Sequence, residues 1–490
     1  VRSRLALPAV LLVACSGSNP PATVAVPPPT CEPSTPLRSV STPSATVGDG
    51  SPGSCTAGAL QAALSGGGTI VFACGAAPVT IAIPSPLTVT KETVLDGGGL
   101  VTLSGGGSSR ILRLDSSYDR ATPRLVVQRL VFRDGASPRT GDDTADGGAA
   151  IYRDGGSLTV IECAFEGNHA PAPGQDVAGG AIYAFGGGDT TIVRSTFTGN
   201  SASNGGAVGS LNGHLTVVDS TFTQNAAAGT GGNPGQGGCG GAIYQDGGDE
   251  RTTLCGVTIQ DNEAGALGGG VFRVSNDGTG TFAMNASSVD SNRVTPTGSG
   301  NAGGLYLQGL ALAIANSTVS RNRAFHNGGL WIHGGVANLV NVTIAENTAF
   351  GTNGGGLWLS DSPAGELLNC TIANNRSTAP DTVAGAIFGA GLSLRNTLVA
   401  GNTAMWSPGC DRRHPDGGGN LQWPSGALCT AELLVVDPLL GALGPNGGPT
   451  ETLAPGAASP ARGRGRDCPP FDQRGRLRGE ACTAGAVEVP

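Results

Sequence analysis

A four-residue block ending in asparagine returns nine times between residues 165 and 402, and a period of that kind rules out an ordinary globular core. The copies read Phe165-Glu166-Gly167-Asn168, Phe197-Thr198-Gly199-Asn200, Phe222-Thr223-Gln224-Asn225, Ile259-Gln260-Asp261-Asn262 and Val289-Asp290-Ser291-Asn292. They continue as Val319-Ser320-Arg321-Asn322, Ile344-Ala345-Glu346-Asn347, Ile372-Ala373-Asn374-Asn375 and Val399-Ala400-Gly401-Asn402. Asn168 to Asn402 is 234 residues in eight intervals, about 29 per repeat. Val131-Phe132-Arg133-Asp134 is a divergent earlier copy.

A second block follows each asparagine: Gly179-Gly180-Ala181-Ile182, Gly205-Gly206-Ala207-Val208, Gly240-Gly241-Ala242-Ile243, Gly269-Gly270-Val271, Gly303-Gly304-Leu305, Gly328-Gly329-Leu330 and Gly355-Gly356-Leu357. A third element is a short alternating run such as Leu215-Thr216-Val217-Val218. Each repeat therefore offers three short strands and Gly- or Asn-containing corners. Three strands in about 29 residues suit one coil of a solenoid better than a propeller blade, which needs about 40 residues and four strands. The expected fold is all-β: a right-handed parallel β-helix with a short N-terminal cap and an irregular C-terminal region. Ten to twelve coils at ~4.8 Å each would make a rod about 50 Å long.

The residue types fit that geometry. Phe, Ile and Val at equivalent positions would stack inside the tube. Asparagine tolerates left-handed backbone, and its amides bond from coil to coil. A ladder of Asn168, Asn200, Asn225, Asn262, Asn292, Asn322, Asn347, Asn375 and Asn402 is expected. A second is expected at Asn316, Asn341, Asn369 and Asn396, several of which also read as glycosylation sequons. Composition agrees: 83 of 490 residues are glycine and only 13% are charged, against about 7% and 25% in an average domain. Net charge is -8, and arginines gather only near Arg462, Arg464 and Arg466, so no nucleic-acid partner is expected.

These blocks resemble the FxxN and GGA(I/L/V) repeats of polymorphic outer membrane proteins and related β-helix surface proteins, over about residues 130–402. The C-terminal part is similar to the choice-of-anchor Q domain of bacterial surface proteins, over about residues 395–490. It carries Asp437-Pro438-Leu439-Leu440-Gly441, Asn446-Gly447-Gly448-Pro449-Thr450, Asp472-Gln473-Arg474-Gly475 and Gly485-Ala486-Val487-Glu488. The family's Ser-Pro-Ala-Ile-Asp is replaced by Ser459-Pro460-Ala461-Arg462-Gly463. Both resemblances imply a surface protein and carry over no chemistry.

At the N-terminus, Arg2 and Arg4 precede an apolar run over 5–14, and Leu12-Val13-Ala14-Cys15 resembles the lipobox of bacterial lipoproteins. That resemblance implies a signal peptide over 1–14 and a lipid on Cys15. Residues 15–50, rich in Pro, Ser and Thr, read as a tether, 51–115 as a cap with the first coils, 116–402 as repeats and 403–490 as the C-terminal region. The stretch Cys55-Thr56-Ala57-Gly58-Ala59-Leu60-Gln61-Ala62-Ala63-Leu64 is the best helix candidate. No later segment reaches membrane-spanning length, so the lipid is the expected anchor, at the outer membrane or cell surface.

Twelve cysteines in an exported chain make disulfides expected. Cys55 with Cys74, Cys410 with Cys429 and Cys468 with Cys482 are the local pairs, with Cys239 and Cys255 a further one. Setting Cys15 aside leaves an odd number, so at least one is unpaired within the chain. No C-x-x-C spacing stands near histidines, so no metal or other cofactor is expected.

The stretch between ladder asparagine and glycine pair varies most in length: 201–204 in one coil, against 169–178, 226–239 and 293–302 in others. Insertions at one repeat position project from one face, often the binding face. For catalysis, Asp142-Asp143 and His333-Gly334 match fragments of polygalacturonase motifs, and Asp246, Asp249 and Glu250 are acids in a Gly-rich corner. A hydrolase needs paired carboxylates on one sugar; these sit coils apart or in turns, so no catalytic residue is assigned. Outward repeat positions read mainly as Ser, Thr, Gly, Ala and Asn. The expectation is a non-catalytic scaffold or adhesin with a polysaccharide or cell-surface ligand, the alternatives being a polysaccharide lyase or glycoside hydrolase, or a structural envelope component.

Overall fold

The computed structural model describes Cys31 and residues 35–295, 300–351 and 354–489. The chain is a right-handed parallel β-helix of about 12 turns. One face is an 11-stranded sheet, called here the glycine-side face because its strands follow the Gly-Gly blocks. Two further faces, walls one and two, merge into one 25-stranded sheet through the long strands Thr93–Ser104 and Arg124–Arg133, which turn the corner between them. The expected three strands per coil become four over much of the stack. A two-residue strand such as Ser201–Ala202 or Arg323–Ala324 follows the ladder asparagine and builds a narrow fourth face, 7 strands tall. Two residues are too few for a period-2 pattern to register, so this strand left no signature in the sequence.

Around a coil the order is glycine-side face, wall one, wall two, narrow face. The interior is a set of columns with one residue per coil. On wall two Phe132, Phe165, Phe197 and Phe222 are in register and stack face to face, their centroids 4.9, 4.6 and 4.6 Å apart. Ile259, Val289, Val319, Ile344, Ile372 and Val399 continue the same column.

Behind this column runs the asparagine ladder. From Asn200 on, each side-chain oxygen accepts from both the backbone N–H and the amide of the asparagine one coil before, as Asn322 does from Asn292 at 2.9 and 3.0 Å. Each amide also donates to a backbone carbonyl of that earlier coil, as Asn322 does to Val289 at 2.9 Å. The pattern runs unbroken from Asn168 to Asn402. All nine side chains are buried, so each polar atom must be partnered within the protein.

The Gly-Gly corner is a steric requirement. A Cβ on the second glycine would lie 2.2 Å from the Gly206 carbonyl at Gly180, 2.3 Å from that of Gly241 at Gly206, and 2.1 Å from that of Gly269 at Gly241. Stacking at β spacing leaves no room there for a side chain.

The N-terminal end of the tube is closed by the helix Ala57–Gly66, which starts two residues later than the sequence suggests. Thr56 caps it, accepting from the Ala59 N–H at 3.2 Å, and Leu60 and Leu64 are buried on the first coil. Cys55–Cys74 ties this cap to the stack. Cys410–Cys429 and Cys468–Cys482 are also joined.

The fourth disulfide differs from the expected one. Cys255 bonds Cys31, 224 residues away, and Cys239 is a buried free thiol. Cys163 and Cys370 are free and buried as well. They occupy the column that holds Ser195, Ser220, Ser287 and Ser317 in other coils, and like those serines they bond backbone carbonyls. Four disulfides mark a chain that folds in an oxidising compartment. Cys15 and the expected signal peptide lie outside the described residues. No described helix is long and apolar enough to cross a membrane.

The first and last described segments both return to the corner between walls one and two, where one residue per coil takes a positive φ, from Arg129 to Asn396. Cys31 and residues 35–44 lie along its lower half, in the stretch expected to be tether. The C-terminal region lies along its upper half. There Asn341 donates to the Phe471 carbonyl at 2.9 Å, Asn396 to that of Arg466 at 2.8 Å, and Gly485 N–H to that of Asn396 at 2.7 Å. Gln473 reaches Thr318 at 2.8 Å and accepts from Thr343 at 2.7 Å. Asp472, fully buried, accepts from the Arg474 side chain and from the backbone of Arg474, Arg476 and Glu488. The Asp-Gln-Arg-Gly motif is thus the clamp that docks this region on the wall.

Candidate functional site

The outer surface of the glycine-side face carries an aromatic column. Tyr152, Tyr183, Tyr244, Phe272, Tyr306, Trp331, Trp358 and Phe388 occupy one register position, interrupted by Gly209. The strand makes this arrangement unavoidable. The Ile, Val or Leu after the glycine pair points into the tube, so the next residue points out. The readable signal was an aromatic directly after Gly-Gly-Ala-Ile or its equivalents. The expectation of small polar residues on outward positions passed over it.

The column has two halves. In the lower half the insertions 137–147, 169–178 and 226–239 fold over it. Asn233 donates to the Tyr244 hydroxyl at 2.8 Å and to Asp246 at 2.7 Å, and Gln175 reaches Asn233 at 3.1 Å. Gly174 N–H bonds Ser203 at 2.9 Å, and Arg110 stacks over Tyr152 at 4.7 Å. Beneath this roof Tyr183 and Tyr244 are fully buried, and burial holds both phenols well above their ordinary range. Tyr152 is pushed up to about 12, chiefly by burial and further by Asp154.

In the upper half the rings become less buried. Tyr306 is 8% exposed, and Trp331, Trp358 and Phe388 are half-buried. The ring geometry changes at the same point. Tyr244, Phe272 and Tyr306 stack face to face, whereas Trp331 stands at 88° to Tyr306. Trp358 stacks on Trp331 at 4.8 Å, and Phe388 turns again by 79°. A polar column runs beside these rings. Ser360 accepts from the Trp331 indole N–H at 2.8 Å and lies 2.9 Å from His333 Nδ1; His333 Nε2 is 2.9 Å from Asp361. This network fixes the Trp331 ring in one orientation. Gln308 lies beside His333 in register and accepts from the Tyr306 hydroxyl at 3.2 Å. An apolar ring surface flanked by fixed donors and acceptors suits a ligand with apolar and hydroxylated faces, such as a sugar.

Of the acids singled out in the sequence, Asp143 and Asp246 both act on Asp176, whose carboxyl is pushed up chiefly by burial and further by these two charges. Asp142 holds a turn through Thr144 in the loop before the strand Ile151–Asp154, and His333 lies six strands farther along that strand's sheet. Asp246 spends its oxygens on Tyr244, Asn233 and Asn276. Asp249 is exposed and Glu250 buried. Among the described residues no three His, Cys, Asp or Glu side chains are placed to hold a metal ion.

A family model described as the right-handed beta helix region matches residues 241–410. No curated protein matches the chain. Among solved structures, it is similar to PfbA, a surface adhesin of Streptococcus pneumoniae, at 11% identity over 69% of this chain and 84% of that one, with TM-score 0.33. It is similar to pectate lyase Pel9A at 14% identity over 87% and 90%, TM-score 0.38. It is also similar to the A-module of the Azotobacter vinelandii mannuronan C-5 epimerase AlgE6, at 13% over 75% and 95%, TM-score 0.27.

Proposed function

We propose that this protein is a non-catalytic surface scaffold that binds an extracellular polysaccharide along the open half of its aromatic column, around Trp331, Trp358 and Phe388. The observation that carries the reading is the unequal roofing: one column of rings is covered by insertions over several coils and left accessible over the next. Each coil adds a ring at a spacing close to 4.8 Å, comparable with the length of one sugar unit, so an extended glycan running along the rod would meet a similar surface at successive coils. The surface reading adds a lipid on Cys15, which would attach the molecule to the outer membrane or cell surface. The similarity to the choice-of-anchor Q domain agrees with that placement.

The test uses the soluble fragment beginning at Ser16, a panel of polysaccharides, and the variants Trp331→Ala and Trp358→Ala. Losing one part-exposed indole removes about 1–2 kcal/mol of contact, so retention of a bound glycan should fall about tenfold in either variant. Retention that ignores both substitutions would place the ligand elsewhere. Absence of retention across a broad panel would favour a structural envelope component.

A further inference from the structure

We propose that the Cys31–Cys255 disulfide makes the membrane tether grip the rod at its waist rather than at its N-terminal cap, and on the corner away from the aromatic column. The anchored molecule would then offer its two ends to the membrane alike, with that column on the side away from the grip. The inference rests on the reading of Cys15 as the lipidated residue.

The first strand of the body is Ala45–Val47, paired in parallel with Gly68–Phe72 at the capped end of the tube. A tether leaving from there would hold the rod by that end. Traced back toward the N-terminus, the chain instead climbs the stack. Arg38 exchanges two hydrogen bonds with the Gln128 side chain, at 2.8 and 3.0 Å. Gln128 is itself fixed by Asp96 at 2.7 Å, and Arg129 clamps the same carboxylate. Three residues earlier the Thr35 carbonyl accepts from Arg194 at 3.4 Å. Cys31 then bonds Cys255. Gln128, Arg194 and Cys255 all lie at the corner between walls one and two, on strands separated by four coil steps. Four steps at ~4.8 Å are about 19 Å, which the seven residues from Arg38 back to Cys31 span when nearly extended.

The endpoint is central. Cys255 follows the strand Ile243–Gly247, the sixth of the eleven strands in the glycine-side sheet. Eleven strands stack to a rod about 48 Å long. The polar contacts of the strap open and close on their own, whereas the disulfide does not, so the bond takes the load. Between Cys15 and Cys31 lie 16 residue steps, at most ~55 Å of chain and about 22 Å root-mean-square if flexible. A leash that short, fixed at mid-rod, keeps both ends within similar reach of the membrane. Without the bond the grip would pass to Ala45–Val47, the leash would grow to 30 residue steps, and the rod could stand on its cap. In the order around each coil, the gripped corner is two faces from the junction of narrow face and glycine-side face. The insertions and the aromatic column therefore sit on the far side.

The experiment uses full-length lipidated protein in bilayers, with a donor dye introduced through a clickable amino acid at Ser51, beside the cap, or at Ser425, near the last coil. Both positions are exposed, and acceptor dye is carried on lipid headgroups. Transfer from the two sites should agree within about twofold. Cys255→Ser and Cys31→Ser should each preserve transfer from Ser51 and cut that from Ser425 several-fold. Strong transfer from Ser51 and weak transfer from Ser425 in the unaltered protein, or no change in either variant, would overturn the proposal. Mass spectrometry of the N-terminal peptide reports the lipid separately. If Cys15 carries none, a hexahistidine tag replacing residues 1–15 on nickel-chelating lipid reads the grip alone. Unequal ends there would overturn the role of the disulfide. Equal ends would sustain the waist grip and remove only the lipid from the account.

Discussion

At the residue scale, the buried polar groups are what turn a stack of similar coils into one register. Asn322 holds the coil before it through both halves of its amide, so Asn322→Ala would take the acceptor from the Asn292 backbone N–H, one of two acceptors from the Asn292 amide, and a donor from the Val289 carbonyl. A loss of about 1–3 kcal/mol is expected, seen as a lower urea midpoint with an unchanged slope; a midpoint within error of the parent would show that the ladder is not stabilising. Asp96 gives a pH-dependent counterpart. Burial raises its pKa, but the hydrogen bonds from Arg129, Gln128 and Gly98 outweigh that and hold it below the ordinary 3.8. A depressed folded-state pKa contributes stability that is present above the unfolded value and lost as pH falls through the folded one. Stability should therefore fall below about pH 4, and Asp96→Asn should flatten that fall while lowering the neutral-pH midpoint. An unchanged acid limb would remove Asp96 from the account. The three free thiols among the described residues are silent in the folded state: burial pushes Cys163 and Cys370 up to about 12 and Cys239 higher still. Iodoacetamide should modify them only in denaturant, and labelling of the native protein, read by peptide mass, would contradict their placement.

At the element scale, the sequence showed whatever recurs. The asparagine block, the glycine pair and the alternating run each map onto a strand or corner, because every coil faces the same stacking problem and answers it with the same residue types. The three local disulfide pairs were legible through short spacing. What occurs once was hidden. Cys31 sits alone among prolines, and its partner lies 224 residues away, so no spacing rule reaches it. The roles of Asp472 and Gln473 depend on meeting Thr318 and Thr343 across the fold. The aromatic column is written into the repeat, but the small residues on the outward positions of the walls mask it. The docked C-terminal region gives the prediction at this scale. Asp472→Ala removes the carboxylate that gathers Arg474, Arg476 and Glu488, leaving a buried arginine uncompensated, a loss of about 3–5 kcal/mol. Hydrogen exchange should then quicken through 437–489 and at the corner residues Asn341, Asn369 and Asn396, while the lower coils keep their protection. Uniform protection would mean that the region docks by other contacts.

At the scale of the whole molecule, the rod is asymmetric both along and around its axis. Along it, a helix closes the N-terminal end, insertions roof the middle, and the aromatic column opens toward the C-terminal coils. Around it, the first and last described segments occupy one corner and the insertions another. A repeat stack transmits little between distant coils, so binding at Trp331 and Trp358 should leave the strap and the cap unperturbed, and a ligand surface can coexist with a fixed grip. Fold alone does not separate a scaffold from an enzyme on such a frame. The open run of rings is the feature on which the binding reading rests. The most direct test follows one polysaccharide panel two ways on the fragment from Ser16 to Pro490, with and without Ca²⁺: retention of the glycan, and release of new chain ends. The account predicts retention without release, in either condition. Release of new ends would contradict it and turn attention to the carboxylates.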